Sequence, residues 1–377
     1  MKYFLAYFLL FFSLTNISSQ HKKTDLTYIE IEKKIDSLYN KPTEALKFVN
    51  IYIQKSKKEK NYEALIYAYR YASKFVESPK KFKYADSALI IGKISNDKKL
   101  LTDAYLNKGV VLMDESHYQN ALDNILIANK YSVEIKNEYL INKTIYFIAQ
   151  NKIYLGLYED ANKELKTCIK YFRNNVNNSN LGEDYQTFYI YSLMSLIDSN
   201  TRIGKQNENK KLLKESFKFL KEKKLNTLIP YFISSEGTDA YYLGQYEKAI
   251  SKLGEAIRLY NDPWQHLTEV YYIAFSYWKL GKRNVAVKYL EEIDNNYKKT
   301  NQLDPQFRAA YELLIKYNDS IGNKDKQLEY INKLMALDRS YEKNYKYLYT
   351  KINKEYDTQK LINEKNKIES SLKNQRT

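Results

Sequence analysis

Side chains suited to acid–base, nucleophilic or metal chemistry are few and far apart in this sequence of 377 residues. It contains three histidines, His21, His117 and His266, and one cysteine, Cys168. Histidine is the usual acid–base catalyst near neutral pH, and zinc sites are built from clustered His, Cys and carboxylate ligands. These residues match no metal-binding spacing, and the chain has no glycine-rich phosphate loop or nucleophile elbow. The sequence therefore predicts a non-enzymatic protein without a metal or another cofactor.

The elements that would position any functional side chain are helices in pairs. In the most regular pair, at 267–296, Ala274 and Tyr277 lie at helical spacing before Gly281, and Ala286 and Leu290 follow it. The two alanines are expected where antiparallel helices come closest, with the bulky residues filling the space on either side. This spacing of small and large residues resembles the tetratricopeptide repeat.

The same pattern recurs along the chain. Good copies surround Gly109, Ala149 and Gly237, and weaker ones run from Tyr69 to Leu89, from Leu196 to Leu213 and from Leu314 to Leu334. Their spacing of about 37 to 48 residues exceeds the usual 34, which predicts extended helices or inserted loops such as 173–182. The resemblance implies an all-α, right-handed α-solenoid. Cys168 stands where other copies have Ala, which predicts a buried, inert thiol.

The predicted organisation has four parts. Lys2 and an apolar run of about a dozen residues at 3–14 are typical of a secretory signal peptide over 1–19, cleaved near Ser19. An uncleaved N-terminal anchor is the alternative. Residues 20–58 form an atypical capping helix pair, 59–340 the repeat solenoid, and 341–377 a helical connector. We therefore expect export to the periplasm or another extracytoplasmic place, with membrane association possible.

The net charge of +16 raises the question of a nucleic-acid or membrane partner. The excess lysines are spread thinly, and the densest runs, at 55–60 and 221–224, each contain a Glu. No aromatic-flanked basic strip accompanies them. A solvated lysine surface is the simpler interpretation, so we expect no direct binding of nucleic acid.

Recognition of a protein or peptide is the function that the repeat resemblance implies. In that family the first helix of each pair lines the concave groove, and aromatic side chains there are good anchors. The alternative is that some of these residues seal neighbouring repeats. The candidates on first helices are Asn107, Val110, Met113, Tyr146, Gln150, Ile153, Tyr241, Tyr242, Tyr271, Phe275 and Trp278.

The final stretch is amphipathic and carries a second resemblance. Leu348 and Ile352 lie on one helix, and a further helix is predicted after a cap at Asp357. The match to the extracytoplasmic part of Bacteroidetes-type membrane regulators, which continue into a membrane helix and an AraC-like DNA-binding domain, is carried by Lys354, Tyr356, Asp357, Thr358, Lys360, Leu361, Glu364 and Lys365.

This second resemblance leaves two functions open. The first is the sensory region of a membrane-bound transcriptional regulator, in which a ligand in the groove shifts the connector. The second is a stand-alone secreted or periplasmic adaptor that assembles partners. A membrane tether would come from a further C-terminal helix in the first case, or from an uncleaved N-terminus in either.

Overall fold

The computed structural model describes residues 26–178, 182–260, 266–300 and 303–357, together with 360, 362, 363, 365 and 370. In these ranges the chain forms sixteen α-helices and no β-strand. The predicted signal peptide, His21 and most of 358–377 lie outside the described residues, as do Thr358, Leu361 and Glu364.

The helices, numbered in chain order, are α1 Tyr28–Ser37, α2 Pro42–Lys58, α3 Tyr62–Lys74, α4 Lys80–Ile94, α5 Lys98–Asp114, α6 Tyr118–Glu134, α7 Glu138–Tyr154, α8 Tyr158–Asn175, α9 Gly182–Arg202, α10 Gln206–Glu222, α11 Ile229–Tyr242, α12 Tyr246–Leu259, α13 Leu267–Lys279, α14 Arg283–Thr300, α15 Arg308–Ser320 and α16 Lys324–Lys351. Short 3₁₀ turns occur at Asn226–Leu228 and Pro305–Phe307, and a π-helical turn at Ile352–Asp357.

The chain divides into two compact units, one ending at Tyr84 and the other beginning at Ala85. In the first unit α1 packs on α2 and α2 on α3. Thr27 and Glu30 form a capping box that satisfies backbone N–H groups at the start of α1. Ile31 and Val49 are completely buried. The first unit therefore has an apolar core of its own.

In the second unit each helix packs on the next along the chain, from α5 to α16. The small residues of the repeat lie where the helices of a pair cross. A Cβ placed on Gly237 of α11 would come within 2.6 Å of Leu253 Cγ on α12, and one on Gly109 of α5 within 2.7 Å of Ile125 Cγ1 on α6. Ala274 and Ala286 are completely buried. These contacts explain why small residues recur in the sequence.

The turn inside a pair is set by a residue in the left-handed region. Gly281 has φ +75°, a conformation that costs glycine little. Its N–H donates to the carbonyl of Trp278 at 3.0 Å, and the N–H of Lys282 donates to that of Tyr277 at 2.9 Å. These bonds satisfy the last carbonyls of α13 and end the helix where the sequence predicts.

Tyrosine hydroxyls connect neighbouring helices by donating hydrogen bonds to carboxylates. Tyr189 of α9 donates to Glu215 of α10 at 2.7 Å, and Tyr311 of α15 donates to Asp294 of α14 at 3.0 Å. Burial, followed by the neighbouring carboxylate, raises the pKa of both tyrosines. These buried tyrosines therefore contribute hydrogen bonds between helices as well as apolar contacts.

The stretch that follows Tyr341 returns to the beginning of the second unit. We call residues 344–357 together with Lys360 the returning segment. Its Leu348 and Ile352 are completely buried in one cluster with Leu122 of α6 and Leu155 at the end of α7. The predicted connector is thus helical up to Lys351, but its apolar face is docked on the repeats as far as Tyr356.

The described residues contain no helix that is long and apolar enough to cross a membrane. The predicted fold class is confirmed, because the chain is an all-α solenoid of tetratricopeptide-like helix pairs. Within the second unit, six of the predicted repeats fall on the pairs from α5 and α6 to α15 and α16. Cys168 is completely buried, as predicted, and burial raises the pKa of its thiol.

Candidate functional site

A cavity of about 530 Å³ lies in the second unit between the first helices of successive pairs. Its walls come from the end of α7, the middle of α9, α11, the start of α13 and the turn before α15. The volume falls within the range of about 300 to 1,000 Å³ that is usual for ligand sites. Because five helix pairs contribute, this cavity depends on how the repeats stack.

The lining combines apolar surface with hydroxyl groups. Ile153, Met194 and Phe307 supply apolar walls, and Ser195 and Thr238 are among six lining hydroxyl-bearing Ser and Thr residues. Ser195 accepts a hydrogen bond from the amide of Gln150 at 2.7 Å, which connects α7 to α9 across the cavity. Ser195, Ser235 and Thr238 donate their hydroxyl protons to carbonyls of their own helices, so these oxygens offer acceptor positions for the N–H groups of a ligand.

The charged lining groups are carboxylates. Asp198, Glu269 and Asp304 face the cavity, and no Lys or Arg does so among the lining residues described. Asp198 is balanced by Arg202, whose Nε lies 3.0 Å from its Oδ2. Arg202 also donates to the side-chain oxygen of Gln306 at 2.8 Å, joining α9 to the turn before α15. Burial raises the pKa of the Asp304 carboxyl, although the N–H of Gln306 and the nearby Arg202 act in the opposite direction.

Glu269 is 5% exposed and closes one end of the cavity at the start of α13. It accepts a hydrogen bond from the hydroxyl of Tyr260 at 2.6 Å. The ring of Tyr260 stacks on His266, with 3.5 Å between the ring centroids. His266 thus stands at the start of α13 and also lines the cavity.

A buried polar cluster lies behind the wall formed by α9 and α11. Asp239 accepts hydrogen bonds from the Thr201 hydroxyl at 2.5 Å and from the Asn209 amide at 3.0 Å. Burial raises the pKa of its carboxyl. These bonds satisfy a carboxylate that would otherwise be costly to bury, and they fix α9, α10 and α11 to one another.

Two of the residues expected in the groove line the cavity, Gln150 and Ile153 of α7. Their neighbour Tyr146 is 9% exposed and belongs to the core between α7, α8 and α9. Met113 packs against the small core around Leu106. Asn107 does not line the cavity, and its amide nitrogen is buried without a hydrogen-bond partner in the described part of the chain.

The remaining aromatic candidates pack on one another away from the cavity. Tyr271 is 9% exposed and stacks on Phe275 with 4.2 Å between ring centroids. Tyr241 and Tyr242 contact Tyr272 at 5.1 and 5.9 Å. Trp278 lies under the guanidinium of Arg283 at 5.4 Å. The structure favours the interpretation that Tyr271 seals neighbouring repeats, because Phe307 from the following pair packs on its ring.

Most of the lining was missed by the sequence analysis. Residues of α9 were overlooked because this repeat lacks the small residues by which the others were aligned. A signal was present, since Ser and Thr recur on first helices at Ser195, Thr201, Ser234, Ser235 and Thr238. Small polar residues on a helix between apolar neighbours are poor core formers, so they indicated a surface that faces water or a ligand.

A second cavity, of about 680 Å³, lies between α8, α9 and α10. Four of its twelve lining residues are Lys or Arg, including Lys170 and Arg173, and two are Glu. Long charged side chains keep their ends in water and define no fixed shape. Among the described residues, no group of three or more His, Cys, Asp or Glu could hold a metal ion.

Comparison with known proteins finds likeness only in structure. No family model matches the chain, and no curated protein matches it. A Rap protein complexed with competence and sporulation factor has a TM-score of 0.54 at 12% identity, covering 84% of this chain and 99% of that one. NprR in complex with its cognate peptide NprX has a TM-score of 0.54 at 16% identity, covering 86% and 97%. At such identities the likeness shows the fold alone, that of tetratricopeptide-type repeat proteins.

Proposed function

We propose that this chain is a non-enzymatic binding protein that takes a peptide or an extended protein segment in the cavity between α7, α9, α11, α13 and α15. The cavity carries the proposal, since it is built from the first helices of four pairs and from the turn that precedes α15, the first helix of a fifth. Its hydroxyl oxygens can accept hydrogen bonds from the N–H groups of a peptide backbone, and its apolar walls offer places for side chains. The complex of NprR with a peptide is a precedent in a protein of similar fold.

A library of random short peptides provides the test, since it requires no knowledge of the natural ligand. The protein is immobilised, and bound peptides are sequenced and then measured singly by calorimetry. Ser235 lines the cavity and is half-buried, so Ser235→Trp should fill the space and abolish enrichment. Ser320→Trp is the matched control, because Ser320 is exposed at the end of α15.

Both variants must show wild-type helicity before the comparison is made. Enrichment that survives Ser235→Trp would place binding elsewhere on the molecule. Failure to enrich any peptide with the wild-type protein would argue against peptide binding altogether.

We propose further that the chain is the sensory region of a membrane-bound regulator, exported by its N-terminal segment. Support comes from the sequence, namely the apolar run at 3–14 after Lys2 and the motif from Lys354 to Lys365. A stand-alone extracytoplasmic adaptor is the second candidate. The DNA downstream of codon 377 discriminates between them, because a membrane helix followed by a DNA-binding domain is expected only for the regulator.

A further inference from the structure

The returning segment contacts helices that lie far from it in the chain. The hydroxyl of Tyr347 donates to both carboxylate oxygens of Asp123 on α6, at 2.9 and 2.7 Å. Lys351 Nζ lies 3.2 Å from the same carboxylate. The amide of Gln119 donates to Asn344 at 2.9 Å. One face of α6 thus holds three successive turns of the segment.

Its last turn covers a charged pair. Tyr356 is 7% exposed and packs against Ile125 of α6 and Ile148 of α7. Beneath its ring lies Lys152, with 5.2 Å from Nζ to the ring centroid and 3.6 Å to the carboxylate of Glu164 on α8. Lys360 reaches the same carboxylate at 2.8 Å. If the segment leaves, water can solvate this pair, so its exposure is far less costly than that of an apolar core.

The returning segment is therefore held by fewer contacts than a helix of the solenoid, so it can detach while the repeats stay folded. Its apolar part consists of Leu348, Ile352 and Tyr356, whereas a helix in the solenoid buries apolar residues along its whole length on two neighbours. The contact with Asp123 is partly open to water, and Lys360 is half exposed, so salt screens both. Segments with few buried contacts open locally without global unfolding.

Helix α7 lies under the segment and also lines the cavity. Gln150 and Ile153 face the cavity, whereas Ile148, Lys152 and Leu155 contact the segment or its cluster. On the opposite rim, the turn before α15 lines the cavity, and the hydroxyl of Tyr341 on α16 donates to the carbonyl of Leu303 at 2.9 Å. Helix α16, together with the returning segment at its end, therefore connects the two rims of the cavity.

We propose that the returning segment is a strap that closes the cavity, and that its release from α6 and α7 admits large molecules. Opening the strap removes the contacts of Asn344, Tyr347 and Lys351 with α6, which leaves the rim at α15 free to move away from α7. The role of the strap in ligand exchange rests on the proposed function. The closing of the cavity by the strap can be tested without any ligand.

The test uses a thiol inside the cavity. In a Cys168→Ala background, Ser195→Cys places one thiol on the cavity wall, and the probe is a maleimide attached to a bulky dextran. Asp123→Lys removes the acceptor of Tyr347 and repels Lys351. We expect it to raise the labelling rate by about tenfold, the factor for one lost hydrogen bond to a charged group. Methyl methanethiosulfonate, a small reagent, should label both proteins at similar rates.

The control and a second readout make each outcome decisive. Asp86→Lys makes the same charge change on α4, where Asp86 pairs with Lys108 at 2.7 Å, and should leave labelling unchanged. Hydrogen exchange at the amides of 347–352 reports the strap directly and should accelerate only in Asp123→Lys. If that variant is misfolded by circular dichroism, Tyr347→Phe replaces it.

Faster exchange of the strap with unchanged dextran labelling would overturn the proposal, because the strap would then open without opening the cavity. Equal exchange in every variant, including Ile352→Lys at a completely buried position, would show that the strap is not docked. Neither result would bear on peptide binding, since no peptide is present.

Discussion

Replacing Gly237 by Ala tests how closely two helices approach inside a repeat. In a helix, Ala is favoured over Gly by about 0.5 to 1 kcal/mol, because Gly loses more backbone entropy on folding. At Gly237, however, the new Cβ would lie 2.6 Å from Leu253 Cγ and 3.1 Å from the backbone nitrogen of Leu253. Overpacking of this kind costs about 1 to 3 kcal/mol. We therefore expect a net loss of up to about 2 kcal/mol in the free energy of unfolding.

Gly254 on α12 provides the matched control. A Cβ there has Arg258 Nη1 at 3.7 Å, which is ordinary van der Waals contact. Gly254→Ala should therefore keep the whole gain in helix propensity and stabilise the protein by about 0.5 to 1 kcal/mol. The two substitutions are chemically identical and lie on the two helices of one pair. Their difference, about 1 to 3 kcal/mol, isolates the crossing from propensity.

The assay is urea unfolding followed by circular dichroism, with midpoints compared only between variants that have equal slopes. A double-mutant cycle with Leu253→Ala identifies the clashing group. In the Leu253→Ala background, Gly237→Ala should lower the free energy of unfolding much less. A small loss should remain, because the new Cβ still lies 3.1 Å from the backbone nitrogen of residue 253. If Gly237→Ala stabilises the wild-type protein as much as Gly254→Ala does, the helices are further apart than described and the role assigned to the small residues is wrong.

Four further results are expected. Ala286→Leu should overpack the crossing of α13 and α14 and cost about 1 to 3 kcal/mol in thermal melts; an unchanged melting temperature would argue against the assigned register. The folded-state pKa of Tyr311 is raised by burial and by Asp294, so its stabilisation is complete below pH about 10 and falls by about 1.4 kcal/mol per pH unit above it; urea titrations in alkaline buffers measure the total slope, which should be smaller by about that amount in Tyr311→Phe. Tyr271→Ala should lower stability by about 3 to 5 kcal/mol because the ring is core, whereas the half-buried Trp278→Ala should cost clearly less in the same melts. N-terminal sequencing of the protein from its own host should begin near Gln20, and an intact Met1 form in the cytoplasm would contradict export.

The helix pairs could be predicted from the sequence because their determinants are local. Ala274 and Ala286 lie on either side of a turn whose Gly281 ends the first helix. A stretch of about twenty residues therefore contains the pattern that predicts a helix pair. The face that each first helix turns toward the cavity is set by the stacking of successive pairs. That is why local spacing could not distinguish Gln150, which lines the cavity, from Tyr271, whose ring packs on Phe307 from the next pair.

The returning segment could not be predicted at all. Its amphipathic pattern showed that Leu348 and Ile352 need an apolar partner but contained nothing about which one. The partner, on α6 and α7, is about 200 residues earlier in the chain, and no local spacing records a contact at that distance. The pattern of an exposed connector and that of a docked strap are therefore identical in sequence.

The contact between Tyr347 and Asp123 joins positions 224 apart in the chain. Most helix contacts in the second unit join helices that are adjacent or next but one along the chain, and such local contacts favour fast folding. A pairing this distant must first overcome the entropy of closing a loop that contains nearly all of the repeats. We expect it to form last, after the repeats between them have shortened the distance. Its formation joins α16 to α6, so that the helices from α7 to α15 lie within a closed loop whose two ends can no longer fray independently.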